Sequence, residues 1–69
     1  MSQHARMLIS EKVRYYRTRM NLSREELSLK LNFDNSYISK LERGKINITI
    51  DKLEKLANFF NVELKEFFS

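Results

Sequence analysis

Ile9, Val13, Tyr16 and Met20 return every three or four residues. Such steps come back to one side of an α-helix, so the pattern predicts a first helix over about residues 6–19. Arg14, Arg17 and Arg19 lie mostly off that stripe. Ser23 then stands three residues before Glu26. This is the spacing of a capping box, in which each residue's side chain accepts from the other's backbone N–H. Glu25 and Glu26 also suit the positive end of a helix dipole, and Leu22 can act as a hydrophobic staple. A second helix is therefore predicted over about 24–31, with Leu27 and Leu31 turned inward.

The stretch Asn32-Phe33-Asp34 interrupts the periodicity. Asn is the non-glycine residue that best tolerates a left-handed backbone, so Asn32 is the expected stop of helix two. Asp34 is the expected N-cap of a third helix at about 35–43. In that helix Ile38 and Leu41 share one side, while Asn35, Ser36, Ser39 and Lys40 face elsewhere. Gly44 fits a C-cap. After a loop at 45–48, Thr49 can cap a fourth helix whose stripe is Ile50, Leu53, Leu56, Ala57 and Phe60, with Asn61 ending it. Val62, Leu64, Phe67 and Phe68 read as a last short helix. The expected fold class is all-α, and residues 1–69 read as a single domain.

Composition narrows the possible functions. The chain has 69 residues, no Cys, no Pro, one Gly and one His. Disulfides and Cys-based zinc sites are excluded, and no metal site is expected from a lone His. His4 falls in an expected frayed terminus. One Gly leaves no glycine-rich phosphate loop, and one terminal His leaves no Ser-His-Asp set. Adjacent Glu25 and Glu26 read as capping groups rather than paired catalytic carboxylates. An enzyme is not expected, and neither is a cofactor or small-molecule ligand. With no long apolar run and no secretory signal, the expected location is the cytoplasm. A domain this small buries little surface, so added stabilisation is expected from a partner.

The net charge of +4 is unevenly placed. Residues 1–44 hold nine Lys and Arg against five acids, whereas residues 45–69 hold four of each. The basic part favours a polyanion partner. Helices two and three are short and about three residues apart, and the second starts with small polar side chains. That is helix-turn-helix geometry at about 23–43, in which the second helix enters the DNA major groove. Asn35, Ser36, Ser39 and Lys40 are the candidate base contacts, because amide, hydroxyl and ammonium groups match base edges. Ser23, Arg24, Tyr37, Arg43, Lys45 and Asn47 are the candidate phosphate contacts.

The stretches Leu22–Leu27, Asp34–Lys45 and Leu53–Ala57 resemble the Cro/C1-type (XRE) helix-turn-helix family. The resemblance covers about residues 6–68. It implies a compact five-helix bundle of the lambda-repressor-like type that binds double-stranded DNA as a homodimer and regulates transcription. Chain length and Asn47-Ile48-Thr49-Ile50 look like short stand-alone members, among them restriction–modification controller proteins and small phage repressors. The family pairs the residues equivalent to Arg17 and Glu42, which implies a structural ion pair. It often has Gln at 24, Ala at 28, Gly at 32 and 61, and Pro at 48, where this chain has Arg24, Ser28, Asn32, Asn61 and Ile48.

Phe59, Phe60, Phe67 and Phe68 crowd the C-terminal end. Phe60 falls on the stripe of helix four. Phe67 and Phe68 are adjacent and cannot both point inward, so Phe59, Phe67 and Phe68 are the candidate homodimer seam, within about 59–69. The alternative function is a protein-interaction module, an antitoxin-like partner on the same scaffold. RNA binding is a weaker third, since Tyr15, Tyr16 and Tyr37 are the only stacking aromatics near the basic surface.

Overall fold

The computed structural model describes residues 2–69 and holds four α-helices and a closing 3-10 helix. They are α1 (Gln3–Arg19), α2 (Arg24–Lys30), α3 (Tyr37–Glu42), α4 (Ile50–Phe60) and the 3-10 helix Leu64–Phe68. No strand occurs among the described residues. The expected fifth helix is thus a single 3-10 turn segment rather than a fifth α-helix.

Each α-helix stops in the same way. The residues after the four C-caps or at them, Asn21, Asn32, Gly44 and Asn61, have φ of 57°, 64°, 69° and 59°. In each case the next residue's N–H returns five residues, as Val62 does to Ala57 O at 2.9 Å and Phe33 to Ser28 O at 2.8 Å. These are Schellman closures, and in a chain with one Gly three of the four fall to Asn. The sequence pattern identified three of them; Asn21 is the addition.

Two helix starts differ from expectation. Helix α1 begins three residues earlier, because Ser2 Oγ accepts from Ala5 N–H at 3.1 Å and caps it. His4 is therefore helical and exposed rather than frayed. Helix α3 begins two residues later, at Tyr37. Asp34 closes a tight turn through its carbonyl, which accepts from Tyr37 N–H at 2.9 Å. The connection between α2 and α3 is accordingly six residues, 31–36, rather than about three.

Every element sends side chains into one core: Ile9 and Val13 from α1, Leu27 and Leu31, Ile38 and Leu41, Ile48 from the loop, Leu53, Leu56 and Ala57 from α4, and Phe67. Ile48, where the family often has Pro, is a core residue. Met20, expected on the inward stripe of α1, is instead exposed at its C-cap. Phe67 is fully enclosed, with its ring 6.1 Å from that of Tyr16. That removes Phe67 from any seam between copies. The Cα radius of gyration, 10.6 Å, matches the ~11 Å expected for a compact chain of this length. No helix among the described residues is long and apolar enough to cross a membrane.

Candidate nucleic-acid interface

Helix α3 sorts its residues by side. Ile38, Leu41 and Glu42 are buried, while Ser36, Ser39, Lys40 and Arg43 recur at helical spacing on the opposite side. Lys40 and Arg43 are exposed, and Ser36 and Ser39 are half-buried. Asn35 is exposed in the turn just before the helix, rather than in its first turn. The four candidate base contacts thus span a turn and a helix start, where a side chain enters a groove ahead of the helix body.

The turn is fixed by its own polar groups. Ser36 Oγ donates to Asp34 Oδ2 at 2.8 Å. That hydroxyl and then the Ser36 backbone N–H hold the Asp34 carboxyl below its ordinary value. Helix α3 has no side-chain cap of its own. Ser28 of α2, fully buried, takes that role from outside: its Oγ accepts from Ile38 N–H at 3.1 Å and donates to Arg24 O at 3.0 Å. The sequence showed Ser28 only as a small residue; a hydroxyl at an otherwise apolar contact was the available signal.

Around this face the candidate phosphate groups are placed as follows. Ser23 Oγ accepts from Glu26 N–H at 3.0 Å while Ser23 N–H donates to Glu26 Oε1 at 2.8 Å, which completes the capping box. Arg43 and Lys45 are exposed. Asn47 Oδ1 accepts from Arg6 at 2.9 Å, which ties the loop before α4 to α1. Tyr37 is half-buried, with its ring 4.8 Å from Phe33 and under Lys52 Nζ at 4.6 Å. Burial raises its hydroxyl above the usual 10.0, so it remains a proton donor. Lys55 donates to Leu31 O at 2.8 Å and sits over the Phe33 ring at 5.1 Å. Phe33, Lys52 and Lys55 were not singled out by the sequence, because their partners lie on different elements.

Beneath α3 lies the ion pair. Arg17 Nε donates to Glu42 Oε2 at 2.7 Å and its Nη2 to Oε1 at 3.1 Å, a two-point contact between buried side chains. Arg17 Nη1 also donates to Leu22 O at 2.8 Å. One contact thereby joins α1, the start of α2 and the end of α3. Two further arginines reach the same carboxylate: Arg24 Nε at 3.0 Å and Arg14 Nε at 3.4 Å, both on Oε1.

Two short helices joined by a turn, a polar outward side on the second and a basic surround define a helix-turn-helix protein of the DNA-binding class. The family comparison agrees. The helix-turn-helix family model matches residues 13–67, and the chain belongs to that family. It is 34% identical over 67 residues to the control protein C.BamHI from Bacillus amyloliquefaciens, across 96% of this chain and 83% of that one. The restriction-modification controller protein C.AhdI from Aeromonas hydrophila superposes with a TM-score of 0.81 at 31% identity, over 90% of this chain and 94% of that one. The hypothetical transcription factor NHTF from Neisseria superposes with a TM-score of 0.87 at 26% identity, over 97% and 78% of the two chains.

Proposed function

We propose that the protein is a homodimeric, sequence-specific regulator of transcription that binds a pseudo-palindromic double-stranded DNA operator, as a restriction–modification controller. The outward side of the α2–α3 unit carries this reading. Asn35, Ser36, Ser39 and Lys40 read base edges, and Ser23, Arg24, Tyr37, Arg43, Lys45 and Asn47 hold the backbone. Each well-paired base contact is worth about 1–3 kcal/mol, and one six-residue helix reads only a short half-site. Two copies double that reading and set the spacing between half-sites at roughly 34 Å or a multiple.

The second copy seats at the C-terminal end, where Phe59 is half-buried and Phe68 is 44% exposed. This end belongs to the neutral part of the chain, so two protomers meet there without opposing their basic parts. Selection of bound duplexes from a random pool tests the reading. The expected product is an inverted repeat whose binding weakens steeply with salt. Absence of any enriched sequence overturns it. Within the enriched site, Lys40→Ala should relax base preference at one position per half-site, and Arg43→Ala should weaken all sequences alike.

A further inference from the structure

Glu42 Oε1 is oversubscribed. It lies 3.0 Å from Arg24 Nε, 3.1 Å from Arg17 Nη2 and 3.4 Å from Arg14 Nε. A carboxylate oxygen offers about two lone-pair sites, and one negative charge faces three positive ones. The three arginines are also unequal. The Arg17 side chain is 9% exposed and holds both carboxylate oxygens. Those of Arg24 and Arg14 are 47% and 56% exposed and each touches Glu42 through Nε alone. Arg17 by itself satisfies the buried carboxylate. Arg14 and Arg24 are surplus to it, and the Nη1 and Nη2 groups of both carry no hydrogen bond among the described residues.

We infer that Arg14 and Arg24 form a two-guanidinium clamp for a single DNA phosphate, held in readiness by Glu42. The inference rests on the DNA-binding reading and adds to it a contact from α1. Both Nε atoms stay within 3.4 Å of one oxygen, so their forks are held beside each other and offer paired N–H donors to one tetrahedral anion. The site lies where α1, the first residue of α2 and the last residue of α3 converge, one residue from Arg43. On binding, the phosphate replaces Glu42 as the acceptor for the two exposed arginines, while Arg17 stays on Glu42 and keeps its charge paired. Holding the forks in place beforehand reduces the side-chain freedom lost when DNA arrives.

The test uses the full chain and the duplex enriched by selection, with an unrelated duplex as control. Binding is measured across a salt series for the unsubstituted chain, Arg14→Gln and Arg24→Gln, with thermal unfolding alongside. Each substitution should lower the slope of log affinity against log salt, and the two together by about 1 per protomer, the contribution of the one phosphate they hold. Affinity should fall for both duplexes alike, with base preference and melting temperature unchanged. In parallel, the side-chain Nε–H signals of Arg14 and Arg24 should shift on adding duplex while that of Arg17 stays in place. If Arg14→Gln leaves affinity and salt slope as they were while the unsubstituted chain binds its duplex, the clamp is wrong and the DNA reading stands. If the unsubstituted chain binds no duplex, both fall.

Discussion

Helices α3 and α4 are specified in opposite ways. Helix α4 carries its own instructions: Thr49 Oγ1 caps it by accepting from Lys52 N–H at 3.2 Å, an apolar stripe of Leu53, Leu56 and Ala57 drives it inward, and Asn61 ends it. Helix α3 has six residues and no side-chain cap, too few to hold a helix in water alone. Its support comes from elsewhere: Ser28 on the Ile38 N–H, Arg17 on Glu42, and Phe33 and Lys52 around Tyr37. The helix proposed to meet DNA is therefore positioned by its neighbours. Apart from Ser36, which holds the turn through Asp34, the outer side of α3 carries little of that support, and Lys40 and Arg43 stand exposed there.

The sharpest way to break this contrast is Glu42→Ala. It strands the buried Arg17 guanidinium and unties α3 from α1. Losing one member of a buried pair costs about 3–5 kcal/mol, a large share of a small domain's stability. Urea unfolding should show that loss, and a change under about 1 kcal/mol would mean that the pair does not hold α3. Ser28→Ala comes next. It leaves the buried Ile38 N–H without its acceptor, which costs about 1–3 kcal/mol. Hydrogen exchange should quicken at Ile38 before it does so in α4, and DNA affinity should fall although Ser28 itself is fully buried.

The same contrast explains what the sequence revealed. Helix α4, the capping box of α2 and the stops at Asn32, Gly44 and Asn61 are local devices, so short spacings expose them. Helix α3 starts two residues beyond the point its local spacing predicts, because its cap, Ser28, lies ten residues away from Ile38 on another helix. Met20 fell on a helical stripe that simply outran the core. Adjacent Phe67 and Phe68 cannot share one side, yet only packing against Tyr16 decides that Phe67 is the one enclosed. In the same way, the pairing of Arg17 with Glu42 came from family likeness. The crowding of Arg14 and Arg24 onto that carboxylate needed three elements in place.

Thr49→Ala sharpens the contrast from the other side, since it removes a cap that serves α4 alone. The cost should be about 1 kcal/mol, read as a lower unfolding midpoint. Base preference in the selected duplex should not change. A change in preference would show that α4's start helps to aim α3, through Lys52 over the Tyr37 ring.

The smallest expected effect is a response to acid that separates the two kinds of cap. The Ser23 backbone N–H, then its hydroxyl, keeps the Glu26 carboxyl below 4.5, and the Ser36 hydroxyl chiefly keeps Asp34 below 3.8. Both carboxylates are fully exposed, so each contribution is modest. A carboxyl depressed in the folded state gives its full stabilisation above its unfolded value and loses it as pH falls through the folded one. Acid should therefore loosen the box at Ser23 and the turn at Asn35 and Ser36 below about pH 4, where carboxylates take up protons. The hydroxyl cap at Thr49 has no charge to lose. Amide protection at Ser23 and Ser36 should fall through this range while Lys52 N–H, bonded to the Thr49 hydroxyl, keeps its protection. A simultaneous loss of protection at Lys52 would mean that α3 and α4 loosen as one unit, against the independence their separate caps imply.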